Sequence, residues 1–167
     1  MIRSVARAFA TGFGIGYLRP APGTWASALA IPAAYLIHAG MGFPALATAV
    51  VLVLLAGWWA VGMTLAGSGE DPPEIVIDEV AGQWVALLPV SGGLWHAGVD
   101  PWIFPWPGWV AAFVLFRLFD IWKPGPVGWA DRRSGPAGVM LDDLIAGAMA
   151  AVGVAVLAGI AHGVMRL

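Results

Sequence analysis

Six carboxylates crowd into two stretches of an otherwise apolar chain, IVIDEVAG at residues 75–82 and FRLFDIWKPGPVGWADRRSGPAGVMLDDLIAG at 116–147. Four form the adjacent pairs Asp78–Glu79 and Asp142–Asp143, and Asp120 and Asp131 lie between them. Neighbouring carboxylates repel unless a cation sits among them. An all-oxygen donor set suits a hard divalent ion, Mg²⁺ first, with Mn²⁺ or Ca²⁺ as alternatives. The second stretch also supplies Arg117, Lys123, Arg132 and Arg133. Such cations can hold a phosphate, Arg through two parallel N–H donors. Together, divalent ion and basic groups are the equipment of phosphoryl chemistry.

Each feature also has a plainer explanation. Arg117, Asp120 and Lys123 recur at three-residue spacing, so neighbours share a helix side and could form only a membrane-edge salt bridge. Asp78 and Glu79 could simply oppose the dipole of a helix N-terminus. In RPAPGTWASALA, Thr24 reads as an N-cap. The same Gly23–Thr24 turn could also offer free N–H groups to an anion. Asp71 and Glu74 read as solvated turn residues, and Asp100 as a turn residue before Pro101. Arg3, Arg7 and Arg166 read as charges for orientation and lipid contact. There is no cysteine, which removes thiolate nucleophiles and disulfides. No DxDx[TV] motif occurs, and His38, His96 and His162 stand outside the charged stretches. A histidine-nucleophile phosphatase and a zinc site are therefore disfavoured.

The elements that must position these charges are membrane-like. Of the 167 residues, 60% are hydrophobic and 11% charged; a soluble domain carries roughly 25% charged residues. The net charge of −2 gives no reason to expect nucleic acid. The N-terminus lacks the compact apolar run and cleavage site of a secretory signal. A helix needs about 20 apolar residues to cross a bilayer. Residues 41–68, 139–165 and 101–123 meet that demand best, and 24–40 and 75–95 are weaker. No alternating strand pattern appears, and backbone in lipid must pair internally. The expected fold is all-α: one domain over residues 1–167, an integral-membrane bundle of about five to six helices.

If each of five segments crosses once, residues before 24, 68–79 and 117–143 share one face. That face receives seven of the eight basic residues, which makes it the cytoplasmic one. The charges then meet at a single wet rim. Ala81–Gly82 and Ala146–Gly147 follow the two acid pairs, and small residues would let those helices approach closely. The ten Trp read mostly as interfacial anchors, with Trp95, Trp102, Trp106 and Trp109 at the far face. The small-residue helix 146–161 could pack within the monomer or against a second copy, so homo-oligomerisation stays open.

GFGIGYLRPAPGTWASALAIP, IVIDEVAGQWVAL and FRLFDIWKPGPVGWADRR…GVMLDDLIAGAMA together resemble the phosphatidylglycerophosphatase A family, over residues 12–154. The resemblance implies a Mg²⁺-dependent, multi-pass phosphatase of the bacterial inner membrane, with its active site facing the cytoplasm. Its substrate would be a lipid of the bilayer, phosphatidylglycerophosphate, cleaved to phosphatidylglycerol and phosphate. The family's motifs fall on Asp78, Glu79, Asp120, Asp131, Asp142 and Asp143, on Arg117 and Lys123, and on Gly23 and Thr24. One departure shows: Ser134-Gly135-Pro136-Ala137-Gly138 stands where the family has a Gly-Gly-x-Gly stretch.

On this reading Asp78, Glu79, Asp142 and Asp143 are the expected metal ligands. Asp120, Lys123, Arg117 and Asp131 serve catalysis, and Gly23, Thr24, Arg132 and Arg133 the substrate. The nucleophile, water or an Asp, stays open. Alternatives are a phosphatase for another lipid or prenyl phosphate, or a cation transporter; a transporter would spread its acids along a pore rather than gather them at one end.

Overall fold

The computed structural model describes residues 1–66 and 72–164. Asp71, Arg166 and the far ends of the expected segments 41–68 and 139–165 lie outside the described residues. The described chain forms six α-helices: α1 (Ile2–Ala10), α2 (Pro22–Leu65), α3 (Ile77–His96), α4 (Trp106–Trp122), α5 (Pro126–Asp131) and α6 (Pro136–Val164), with a 3₁₀ turn over Gly12–Tyr17. No strand occurs among the described residues. Both α2 and α6 are long and apolar enough to cross a membrane.

The 44 residues of α2 would span about 66 Å if straight. They do not, because Gly42 takes φ 77°, ψ −176° and interrupts the helix. A side chain is strained at that φ, and a Cβ there would also collide with the Trp95 ring. Pro44 follows in the first turn of the next limb, where its missing N–H costs nothing. The chain doubles back, so Pro22 and Leu65, at opposite ends of α2, line one cavity. Each limb, 22–41 and 43–65, is about 30 Å long, one bilayer core. The two spans expected at 24–40 and 41–68 are these limbs.

The other helices continue the alternation. α3 runs beside the first limb in the same direction: Gly23 abuts Glu79, Trp84 Nε1 donates to the Ala30 carbonyl at 2.8 Å, and His38 Nδ1 lies 2.7 Å from Ser91 Oγ. α4 returns, with Gly108 opposite Val90 and Phe116 opposite Gly82. α6 starts again at the first end, where Pro136 faces Gly62. Five helical limbs therefore begin or end at one rim.

Packing departs from expectation in four places. Trp109 is no interfacial anchor: it is fully buried, stacked on Phe104 at a centroid distance of 5.5 Å and edge-on to Tyr35. Trp95, Trp102 and Trp106 are exposed as expected. Thr24 does not cap α2; Ala21 holds that position, and Pro22 opens the helix. α6 begins at Pro136, so Asp142 and Asp143 sit in its second turn rather than opening it. Finally, α1 is a helix no segment anticipated; it buries Ala6 and Ala10, and its Ala10 carbonyl accepts the Val76 N–H at 2.9 Å.

The outer surface is apolar: Leu36, Val51, Leu55, Val114, Val152 and Ile160 are all exposed. The interior gains order from close approach instead. A Cβ on Gly82 would lie 2.6 Å from the Asp143 carbonyl and 2.6 Å from the Phe116 ring, and one on Gly147 would strike the Gly82 carbonyl. Backbones of α3 and α6 meet there directly, which only glycine permits. This crossing lies one turn above each acid pair.

Candidate active site

A cavity of about 740 Å³ opens at the rim where the helix ends converge. Pro22 and Gly23 enter from the first limb of α2, Leu65 from the second, and Asp78 and Glu79 from α3. Asp120 and Lys123 come from the end of α4, Asp131 and Arg133 from α5 and the turn after it, and Asp142 from α6. Ser134, Gly135, Pro136 and Gly138 also line it, so the loop that departs from the family pattern is part of the wall. Gly135 turns at φ 73° and hands the chain to Pro136, which starts α6.

The carboxylates divide into two groups. Asp78, Glu79 and Asp143 each offer an oxygen, and these oxygens lie within 4.8 Å of one another. Asp78 and Asp143 are buried, at 9% and 3% exposure. Asp78 Oδ1 and Glu79 Oε2 are inaccessible to solvent and have no hydrogen-bond partner. Buried charge without a partner is costly, so a donor set of this kind fits a hard divalent cation. Gly23 keeps the space: a Cβ there would collide with the Glu79 carboxylate. Asp120 stands beside both Glu79 and Asp143 and is ion-paired to Arg117.

Asp142, whose Oδ1 is likewise buried without a partner, belongs to the second group through its other oxygen. Its Oδ2 accepts a hydrogen bond from Lys123 Nζ at 3.0 Å, and Lys123 also donates to Asp131. Lys123 ends α4 in the left-handed conformation, φ 48°, ψ 51°. That conformation costs a non-glycine residue roughly 1 kcal/mol or more, and here it sets the ammonium between two carboxylates. Burial alone would lower the Lys123 pKa. Hydrogen bonds to Asp131 and Asp142, with their charges, outweigh it and hold the group above the ordinary lysine range. Lys123 is thus held as an ammonium between the two carboxylates.

The remaining residues are spread more widely. Arg117 does not line the cavity; its stem borders a separate apolar groove with Phe113 and Ile121, and it reaches Asp120 from behind. Arg133 lies with its guanidinium 3.8 Å from the centre of the Trp129 ring, at the cavity edge. Arg132 is exposed and Thr24 half-buried, and neither lines the cavity. Arg19 pairs with Glu74 at 3.4 Å, so Glu74 is not the freely solvated residue expected. Asp100 accepts the Trp102 N–H at 2.9 Å, as a turn residue should.

One buried polar residue a helical turn above Glu79 escaped the sequence reading. Gln83 is fully buried, and neither its amide nitrogen nor its oxygen has a partner. It follows Glu79 by four residues on α3, one helical turn deeper. A polar side chain inside an apolar run, at helical spacing from an acid, was the available signal.

Comparison with known proteins agrees with this geometry. Residues 8–158 match the family described as phosphatidylglycerophosphatase A. A protein of Bacteroides thetaiotaomicron named "Putative phosphatidylinositol-3-phosphatase" is 39% identical over 87% of this chain and 89% of its own length. The protein named phosphatidylglycerophosphatase A in Escherichia coli is 36% identical over 85% of this chain and 77% of its own. Its Haemophilus influenzae namesake is 33% identical over 86% and 82%. No solved structure matches the chain. A bundle whose acids converge at one rim, and a match that spans nearly all of its helices, make this chain a member of the phosphatidylglycerophosphatase A family.

Proposed function

We propose that this phosphatase hydrolyses phosphatidylglycerophosphate to phosphatidylglycerol and phosphate, with Mg²⁺, at the cytoplasmic rim of a bacterial inner membrane. The observation that carries the reading is the cavity itself: unpartnered buried carboxylate oxygens and a fixed ammonium at one end of an apolar bundle. A phospholipid monoester makes the same demand. Its acyl chains stay in lipid while its terminal phosphate reaches water. Seven of the eight basic residues of the sequence belong to the rim side of the chain path, which supports a cytoplasmic rim.

Asp78, Glu79 and Asp143 would hold the cation, which supplies Lewis acidity and neutralises phosphate charge. Lys123 faces the phosphate as a second positive charge, kept in place by Asp131 and Asp142. Arg117 balances Asp120 so that the inner acids are not driven apart. Hydrolysis breaks the ester P–O bond, adds the oxygen of water to phosphorus and leaves a proton on the lipid alcohol.

Purified protein in detergent should release phosphate from phosphatidylglycerophosphate with Mg²⁺ and stop when EDTA is added. The name of the Bacteroides relative makes phosphatidylinositol-3-phosphate the competitor to include, with phosphatidic acid and a prenyl phosphate. Preference for any of these would transfer the reading to that lipid; no release from any would refute it. Within the site, Lys123→Met should lower kcat/KM for phosphate release by about 100-fold, the scale of one electrostatic stabiliser. Lys123→Arg should rescue little, because a planar fork does not replace a point charge held between two carboxylates. Wild-type kinetics in Lys123→Met would remove the residue from the reaction.

A further inference from the structure

We infer that Gln83 is a positioning residue for the cation site, its amide placed one turn above Glu79 to donate to that carboxylate from the bundle interior when the carboxylate turns onto an ion. The inference rests on the reading that Asp78, Glu79 and Asp143 hold a divalent ion. Gln83 is 0% exposed and both its amide atoms lack partners. A buried polar side chain is normally hydrogen-bonded, so an orphaned one calls for a reason. Glu79 Oε2, one turn away on the same helix, is an orphaned acceptor; the two groups are not hydrogen-bonded to each other, and a side-chain turn of Glu79 toward the interior would join them. The Cα–Cβ bonds of a helix tilt toward its N-terminus, which aims residue 83 back toward the turn that carries Glu79.

The neighbouring contacts fix its depth. Gly23 meets Glu79 and Ala30 meets Trp84, so Gln83 lies level with residues 27–30, inside the bundle. Ser27 there is fully buried, and its hydroxyl already donates to the Gly23 carbonyl at 2.8 Å. Arg117, whose charge acts on Glu79, carries a buried Nε without a hydrogen-bond partner. A carboxamide suits this place because it is neutral. It can donate to a carboxylate and accept from a guanidinium without adding to the charge of the cluster. Carboxylates drawn onto an ion leave outward lone pairs, and an outer donor that satisfies them fixes their orientation.

The test uses the full chain in detergent and Mn²⁺ as probe, read by electron paramagnetic resonance. Gln83→Met and Gln83→Leu keep the volume and remove the amide. Both should weaken Mn²⁺ binding by about 10-fold or more, the usual effect of losing an outer-sphere partner. The Mg²⁺ concentration for half-maximal phosphate release should rise by the same factor, with kcat at saturating Mg²⁺ changed much less. Both variants should melt, without metal, no lower than wild type, because an unpaired amide has been replaced by apolar surface. A merely structural glutamine would give the opposite pattern: lower melting temperature and unchanged Mn²⁺ affinity in both variants, which overturns the inference. Wild-type protein that binds no Mn²⁺ overturns it together with the cation-site reading. Wild-type protein that binds Mn²⁺ but ignores phosphatidylglycerophosphate, with weakened binding in both variants, upholds Gln83 and sinks only the substrate.

Discussion

Asp143→Asn is expected to slow phosphate release about 10³-fold and, in EDTA, to melt higher than the wild type. Both halves follow from one geometry. Asp143 is 3% exposed, and its carboxylate shares a space 4.8 Å across with those of Asp78 and Glu79. Asp120 adds a further carboxylate beside it, balanced by Arg117. Without a cation, the site holds like charges in a poorly hydrated interior, an arrangement that opposes folding. An amide removes one charge and keeps shape and volume. A gain of about 1 kcal/mol would raise Tm by roughly 2–4 °C in a chain of this size. The same change turns one of three carboxylates able to hold the cation into a neutral, weaker amide donor, and activity falls. Stability and activity therefore move in opposite directions, as at sites whose function requires strain. Asp142→Asn should behave differently. Its partner is Lys123 at 3.0 Å, so the variant breaks an ion pair and should melt lower. Calorimetry in EDTA and phosphate release in Mg²⁺ on both variants separate the cases. An Asp143→Asn protein as active as wild type would remove the inner carboxylates from the chemistry.

That contrast marks where the sequence was readable and where it was not. Both acid pairs, Asp120 and Lys123 stand out as charges in an apolar chain, and the alternation of apolar segments already gathers them at one rim. Length and hydropathy suffice for that, because helices of this length leave few ways to arrange five alternating segments. The turn between the first two segments was legible near Gly40–Met41, and the break falls at Gly42, just before Pro44. The different surroundings of Asp142 and Asp143 were not legible. Adjacent residues on a helix point about 100° apart, and which of them faces α3 depends on how α6 rotates against Gly82. Gln83 did carry a signal in its spacing from Glu79 within an apolar run, but the burial that gives that spacing weight is not displayed by one sequence. Trp109 misled because tryptophan favours interfaces on average, whereas this one fills the core between Tyr35 and Phe104. The 3₁₀ turn and the short helices α1 and α5 fall below the length at which periodicity is informative.

Gly147→Leu is expected to abolish activity by moving groups it does not touch. The residue carries no chemistry, and it sits in the long apolar run of α6. A Cβ there would meet the Gly82 carbonyl, while a Cβ on Gly82 would come within 2.6 Å of the Asp143 carbonyl. Both obstacles are backbone, so no rotamer change relieves them. The helices must separate, at a cost of about 3 kcal/mol or more, and Tm should drop by roughly 6–12 °C. Separation also pulls Asp143 on α6 away from Asp78 and Glu79 on α3. A shift of about 1 Å would spoil a shared cation site, so Mn²⁺ binding should be lost along with phosphate release even in protein that stays folded. Gly159→Leu supplies the control. It lies on the same helix, a Cβ added there would meet nothing within 4 Å, and Leu adds only to an apolar outer face. That variant should keep near-wild-type Tm and activity. Equal behaviour of the two leucine variants would mean that the α3–α6 contact does not set the distance between the acid pairs, and the account of how this bundle builds its site would fall with it.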